Sequence, residues 1–450
     1  MNKKRVDLLH DDIKKIYLKY LVPSVMSSIA VAMYVFVDTM FIGLGVGSRG
    51  LAALNIVLPV FTLFGAVSLI FGIGGATTLS ICVGQGDIQK KEQVFATSII
   101  TAISLGIIIS ILGNLFSEQI CLMLGSTKEM LPMVKEYFVI LISFAWAFLA
   151  STVLGSFIRN DKNPKLVMTA TIIANLTNVV LDYIFVFVFH WGMKGAVLAT
   201  VISPVVNICI VSSHFFTNYN TLKLKFKYYR ASLLGRILKN GFATFISEMA
   251  RGLVLFIFNI ILMRLGGEMY VSAYGIIINI SFVGTCIFNG IAQSIQPIVS
   301  ENFGANNIKR IFKSFDYALW TGTLLAIVCY CIFFIFPDYI VQMFIEYDEQ
   351  LVAIASQGMK LYFIGYAFCA FNIITLYFLQ SVEKAKESIM ISLSSGMIFS
   401  VLGLIILVPI LGLKGVWLTV PFAEGVTLII SLLFIRMAKK NMNYKKEIEM

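Results

Sequence analysis

The chain contains 450 residues, of which 58% are hydrophobic and 13% are charged, and its formal net charge is +11. Average soluble domains carry about 25% charged residues, so the composition excludes a soluble globular protein and predicts an integral membrane protein. The sequence contains no Walker A or H-E-x-x-H motif, so it offers no basis for an ATP-driven pump or a zinc enzyme.

Twelve apolar stretches are long enough to cross a hydrocarbon core of about 30 Å as helices. In chain order they cover residues 16–43, 51–83, 93–115, 131–157, 165–189, 195–216, 238–263, 271–300, 314–336, 351–379, 387–410 and 415–435. We predict an all-α membrane protein with a first lobe at 1–216, a cytoplasmic linker at 217–237, a second lobe at 238–437 and a cytoplasmic tail at 438–450.

The second half of the chain repeats the pattern of the first. Residues 192–195 read Gly-Met-Lys-Gly and residues 412–415 read Gly-Leu-Lys-Gly, and each motif lies between two apolar stretches. Because each repeat holds an even number of spans, both repeats cross the membrane in the same direction. The duplication predicts two six-helix lobes related by a pseudo-two-fold axis along the membrane normal, with a cleft between them.

The basic residues follow the positive-inside rule. Connections on one side of the predicted membrane hold 27 lysines and arginines and those on the other side hold 5, which leaves Lys135, Arg251 and Lys360 inside or at the edges of spans. This split predicts a multi-pass protein of the plasma membrane with both termini in the cytoplasm. Topology alone accounts for the positive charge, so we expect no nucleic-acid partner.

Ionisable side chains inside spans are costly in lipid, so each one is a candidate functional residue. At about 1.5 Å per residue, Asp38, Asp182 and Thr200 lie at a common depth of roughly 9–12 Å below the outer surface. Asn178 lies one turn from Asp182 on the same helix face. The equivalent positions in the second repeat are all apolar, namely Phe258, Ile398, Leu402 and Val420. The cluster predicts a cation site restricted to the first lobe; the alternative is that the aspartates reach to the interface and contact water.

Three further charged residues lie near mid-membrane in the second lobe. Glu248 and Arg251 are spaced i,i+3, so they either neutralise each other as a structural pair or line the central cavity. Glu424 has no partner nearby in the sequence. In the first span, Pro23 predicts a hinge.

Several of these residues occur together in longer segments. The segments are Pro23, residues 37–43 (Val-Asp-Thr-Met-Phe-Ile-Gly), Asn178-x-x-x-Asp182-Tyr183, residues 192–200 (Gly-x-Lys-Gly-Ala-x-x-Ala-Thr), Gln296-Pro297 and residues 302–305 (Asn-Phe-Gly-Ala). In combination they resemble the MATE (multidrug and toxic compound extrusion) transporters of bacteria, over essentially the whole chain. The resemblance implies two six-helix bundles around a cleft, and export of amphipathic, often cationic compounds in exchange for inward Na⁺ or H⁺.

The resemblance also implies roles for particular residues. The first-lobe cation site of the family would fall on Asp38, Asn178, Asp182 and Thr200, and Glu248 resembles an acidic residue in the seventh helix of many bacterial members. Residues 358–379 contain no carboxylate where some members have one, which argues against a second-lobe cation site. The candidate residues of the substrate cavity are Glu248, Arg251, Gln296 and Glu424.

A buried carboxylate can take up a proton or bind Na⁺ together with amide and hydroxyl oxygens, and the sequence does not choose between the two ions. We expect no cofactor beyond the coupling ion, and a monomer in the lipid bilayer. One alternative is a flippase for a lipid-linked precursor, from the same superfamily, which would need a more cationic cleft than Arg251 supplies. A membrane-embedded enzyme is an alternative of a different class, but no catalytic constellation supports it.

Overall fold

The computed structural model describes residues 6–343 and 348–449, and within these ranges every regular element is helical. Helices satisfy all their backbone hydrogen bonds internally, as a lipid environment requires. Eleven of the described helices are long and apolar enough to cross a membrane, and the pair Leu131–Ser143 and Ala145–Asn160, bent by 46°, provides the twelfth span. The all-α prediction is confirmed. The basic residues Lys3, Lys4 and Arg5 lie outside the described residues.

The first lobe contains helices α1 to α6. Asp12, Asp87 and Asn163 cap the starts of three of them, because each side chain accepts a hydrogen bond from the backbone N–H three residues further on. The helices are α1 (Ile13–Val46), α2 (Ser48–Gly84), α3 (Ile88–Leu115), α4 (Leu131–Ser143 and Ala145–Asn160), α5 (Pro164–Val188) and α6 (Gly192–Phe216).

The second lobe contains helices α7 to α12. They are α7 (Leu234–Gly266), α8 (Glu268–Gly304), α9 (Ile308–Ile335), α10 (Glu349–Ser381), α11 (Ala385–Leu411) and α12 (Leu413–Glu449). Helix α7 begins inside the predicted linker, and α12 continues through most of the predicted tail. Two short helices, Ser117–Met123 and Pro337–Gln342, follow α3 and α9. They begin at equivalent positions of the two repeats, in the register set by the paired Gly-x-Lys-Gly motifs.

Buried apolar side chains form two large clusters. One is built mainly from first-lobe residues, and it also includes Leu222 of the linker and Ile237 of α7. The other is built mainly from second-lobe residues, and it also includes the start of α1. Tyr17 of α1 stacks on Tyr317 of α9 with ring centroids 5.8 Å apart. Helix α1 therefore belongs to the first lobe at one end and packs on the second lobe at the other.

The two lobes meet in the half of the membrane nearest the linker, here called the linker side. Residues 70–82 of α2 are all buried there. Gly74 of α2 packs against the backbone at Gly241 of α7, and Gly84 of α2 packs against the backbone of Glu301 in α8, so that a Cβ on either α2 glycine would overlap the opposing helix. Small residues let helices approach this closely. The linker side is thus closed.

One face of α8 stays accessible towards the opposite side, here called the far side. Residues 294–302 are all buried. Four residues at helical spacing before them are at least partly exposed, namely Phe282, Cys286, Asn289 and Gln293. The Cys286 side chain interacts electrostatically with Glu248 and Arg251 of α7, so this face of α8 is directed towards α7. From this exposure we infer a cleft between the lobes that opens to the far side and has its floor near Gln293.

The connection between the lobes is bound to the first lobe. Fully buried His214, at the end of α6, lies with its Nε2 2.8 Å from Asp161 Oδ2. The backbone N–H of Thr221 donates to the same oxygen (2.8 Å). Further along, the backbone N–H of Arg230 donates to Thr97 Oγ1 of α3 (3.0 Å). The linker is therefore attached to α3 and α4 until shortly before α7 begins.

Candidate cation site and substrate cleft

Four polar residues from three helices of the first lobe lie together in the far-side half of the protein. Asp38 comes from α1, Asn178 and Asp182 from α5 and Thr200 from α6, and none of them is more than 8% exposed. The structure therefore brings together the four residues that depth and helical spacing predict to lie close to one another. They are buried among helices. Snorkelling side chains would instead extend to the membrane surface.

Hydrogen bonds connect the four residues. Thr200 Oγ1 donates to Asp38 Oδ1 (3.4 Å) and to the Ala196 carbonyl oxygen (3.0 Å). In the amide orientation that satisfies its neighbours, Asn178 donates through nitrogen to Asp182 Oδ2 (3.2 Å) and accepts through oxygen from the Thr200 backbone N–H (3.3 Å). The Asp38 and Asp182 carboxyl groups lie within hydrogen-bonding range of each other.

A proton or a cation between the two carboxyl groups would stabilise this arrangement. Two ionised carboxylates in contact repel each other strongly in a buried site, and Asp182 Oδ1 accepts no hydrogen bond from the described residues. A proton held between the carboxyl groups would relieve the repulsion. Na⁺ would also relieve it, with oxygens from both aspartates, from Thr200 and from Asn178 once its amide has turned.

Helix α5 changes geometry immediately after Asp182. Residues Tyr183–Val188 form a π-helix, a wider turn that is frequent at functional sites. It fits between α1 and α6 because both present glycines. A Cβ at Gly45 would overlap Val186, and a Cβ at Gly195 would lie 2.9 Å from Phe185 Cβ. The glycines thus allow the packing that fixes the position of Asp182, a role that the sequence analysis did not predict.

Two tyrosines beside the site were also missed. Tyr34 interacts electrostatically with Asp38 and Asp182, and fully buried Tyr137 of α4 lies beside Thr200. The i−4 spacing of Tyr34 from Asp38 is a signal that could have found it. Tyr137 lies on a different helix, and no sequence spacing connects it to the site.

The predicted cavity residues of the second lobe have different environments. Glu248 and Arg251 form an ion pair in which the side chains are 28% and 41% exposed, so they are paired with each other and also accessible in the cleft. Glu424 is partly exposed, and its Oε2 accepts a hydrogen bond from Asn372 Nδ2 (2.7 Å).

Gln296 is located elsewhere than predicted. It is 1% exposed, accepts from Asn160 Nδ2 of α4 (2.9 Å) and donates to Thr77 Oγ1 of α2 (3.1 Å). Because these partners belong to the opposite lobe, Gln296 bridges the lobes below the floor of the cleft. The prediction that it lines the cavity is wrong for this conformation.

Arg159 is one of the 27 basic residues that the sequence places in membrane connections on the linker side, but the structure places it within a helix. It lies in the last turn of α4, is 9% exposed, and donates from Nη1 to Gln293 Oε1 of α8 (2.6 Å). The cleft floor thus carries an arginine that sequence reasoning missed. Pro23 is buried within the continuous helix α1, and its role as a hinge stays a prediction.

Comparison with known proteins gives the same fold and the same duplication. The MatE family model matches residues 23–184 and 243–406, two segments that begin at equivalent positions of the two repeats. "Multidrug export protein MepA" of Staphylococcus aureus (strain MSSA476) is similar at 24% identity over 425 residues, which are 94% of this chain and 93% of that protein. The protein of the same name from Staphylococcus saprophyticus is 23% identical over 433 residues, or 95% of both chains.

A solved structure described as the outward-facing conformation of a multidrug resistance MATE family transporter of the MOP superfamily has a TM-score of 0.93. It is 21% identical, and the match covers 99% of this chain and 100% of that one. The likeness shows the two-lobed fold. Since the matching family consists of transporters, the alternative of a membrane-embedded enzyme is set aside. The family model covers most of the sequence in two repeats, and the chain therefore belongs to the MatE family of membrane transporters.

Proposed function

We propose that this transporter exports amphipathic, mainly cationic organic compounds across the plasma membrane in exchange for inward Na⁺ or H⁺. The observation that carries the proposal is the pair of contacting carboxyl groups, Asp38 and Asp182, buried in the first lobe. The names of the relatives, multidrug export proteins, support the substrate class. The accessible Glu248 carboxylate in the cleft supports a cationic substrate.

Coupling requires that the empty and occupied cation site favour different lobe arrangements. Helix α1 is suited to transmit this difference, because it carries Asp38 and also touches the second lobe. Close to Pro23, its backbone packs on α8, where a Cβ at Gly290 would lie 2.8 Å from Val25 Cα. Charging the carboxylates or neutralising them would change how α1 packs at one end. A bend at Pro23 would carry the change to the lobe interface.

The site accommodates either ion, depending on which way the Asn178 amide faces. In its satisfied orientation Asn178 directs nitrogen, and not oxygen, towards Asp182. Binding of Na⁺ would require this amide to turn and break its bond from the Thr200 backbone, whereas a proton between the carboxyl groups needs neither change.

For orientation in the cell we propose that the linker side faces the cytoplasm, which follows from the distribution of basic residues. The cleft of this conformation then opens to the outside, and both termini lie in the cytoplasm. Each chain holds a complete cation site and a complete cleft, so we propose that a monomer in the bilayer is sufficient for transport.

The test uses purified protein in proteoliposomes, with export of a fluorescent organic cation driven by a proton gradient or a Na⁺ gradient in separate experiments. We expect export with one gradient and not without it. Asp38→Asn and Asp182→Asn should each abolish the response to the gradient while leaving a folded protein, because asparagine keeps size and hydrogen bonding but cannot be charged. Gradient-driven export at the wild-type rate in both variants would refute the proposal.

One observation supports the flippase alternative. Arg159 adds a second cationic side chain to the cleft, in addition to Arg251. The same vesicles separate the two functions. Transbilayer movement of a fluorescent lipid-linked pyrophosphate, without export of the organic cation, would favour the flippase.

A further inference from the structure

Arg159 is a buried cation without an acidic partner. It is 9% exposed, and no ion pair among residues 6–343 and 348–443 includes it. Its one hydrogen bond within this part of the chain runs from Nη1 to the neutral oxygen of Gln293. Burial of an unpaired charge is costly. The stability of the fold therefore does not explain why an unpaired guanidinium is buried at this position.

The position of Arg159 suggests what that reason is. Its partner Gln293 is the last accessible residue on the α8 face that lines the cleft, since residues 294–302 are all buried. Arg159 thus lies at the floor of the open cleft. The other guanidinium nitrogens have no partner in the described structure, and they are not among its fully enclosed polar atoms. These nitrogens therefore keep some exposed surface.

The surroundings of Arg159 at the floor are neutral. The Tyr377 hydroxyl of α10 lies beside the Gln293 side chain and within electrostatic range of Arg159. Tyr20 of α1 is the other group that interacts with the arginine in this way. The nearby carboxylate, Glu248, is already paired with Arg251. The floor therefore offers an uncompensated positive charge with neutral hydrogen-bonding groups around it.

We propose that Arg159, with Gln293 and Tyr377, binds the carboxylate of zwitterionic amphipathic substrates. This inference rests on the proposed export function and assigns Arg159, Gln293 and Tyr377 to the anionic end of the substrate. The cationic end of such a compound would lie towards Glu248, and its carboxylate would face the guanidinium, which binds carboxylates through two parallel hydrogen bonds.

The test compares a cationic rhodamine methyl ester with its free acid, which differ only in the carboxylate. Binding to purified protein in detergent is measured by fluorescence polarisation, so it does not depend on coupling. Arg159→Gln should weaken binding of the free acid by roughly 10- to 100-fold, the range for loss of a hydrogen bond to a charged group. The ester should keep its affinity. Arg264→Gln, at the far end of α7, is the matched control and should change neither.

A second variant preserves the partner contact. Gln293→Glu places a carboxylate against the guanidinium, so the variant should keep the fold. It should still weaken binding of the free acid and leave binding of the ester unchanged. If both variants lost the same binding affinity for the acid and for the ester, Arg159 would only hold the lobes together. The proposal would then fail. Selective weakening of the acid without any gradient-driven export of the ester would support the subsite and refute the export function.

Discussion

The glycine contacts between the lobes lead to a quantitative prediction about conformation. In the present state a Cβ on Gly84 would overlap the Glu301 carbonyl oxygen and would lie 3.0 Å from the backbone nitrogen of Ala305, whereas unstrained heavy atoms keep about 3.5–4.0 Å. The opposing atoms are backbone and cannot move aside without shifting α8. Gly84→Ala should therefore cost about 1–3 kcal/mol in the state closed on the linker side.

The cost falls only on the closed state, because the glycine loses its contact when the lobes separate there. The ratio of linker-side-open to linker-side-closed molecules should rise by about 5- to 150-fold. Native Cys82 reports on this ratio, since it is fully buried and lies beside Arg236 of α7. With the other six cysteines replaced, its labelling rate by a thiol reagent from the linker side should rise by the same factor.

The control is Gly65→Ala in the same helix, where nothing lies within 4 Å of the added Cβ. This variant should label at the wild-type rate. Equal labelling rates for Gly84→Ala and Gly65→Ala would refute the view that the glycine contact holds the linker side closed.

Three further predictions concern the cleft, the coupling ion and the topology. Glu248→Gln should raise the KM for cationic substrates by about tenfold through loss of a charged partner and leave neutral substrates unchanged; an equal effect on both would show a purely structural role. Thr200→Ala should reduce gradient-driven export nearly as much as the aspartate variants if the ion is Na⁺, whose coordination needs several oxygens, and much less if it is H⁺; wild-type export under a Na⁺ gradient would exclude Thr200 as a ligand. In a cysteine-free background, Lys194→Cys and Lys414→Cys should both react with an impermeant thiol reagent from outside, and reaction of only one would contradict two lobes of equal orientation.

The sequence predicted the features that depend on one helix at a time. Hydropathy located the spans, and the repeated motif predicted the duplication. Asp38, Asp182 and Thr200 could be placed together because depth along a helix follows from residue count. The cluster is therefore a case in which counting along separate helices predicts a tertiary contact.

The errors concern which helix faces meet between the lobes. Arg159 follows an apolar stretch and precedes a polar segment, so by sequence it resembles the other basic residues of that connection. Gln296 is a polar residue within a span, which is equally compatible with a cavity and with an interface. Only the packing of α4 on α8 distinguishes these alternatives. The π-helix after Asp182 likewise depends on glycines in neighbouring helices.

The attachment of the linker to the first lobe limits the movement that transport requires. Because the chain is bound to α3 as far as Arg230, and α7 begins at Leu234, the polypeptide that joins the two moving bodies is effectively the short segment Ala231–Leu233. The four Cα–Cα steps from Arg230 to Leu234 span about 14 Å when extended. The connection therefore acts as a short tether, which lets α7 pivot about its own start but prevents the lobes from separating on this side by more than roughly that distance.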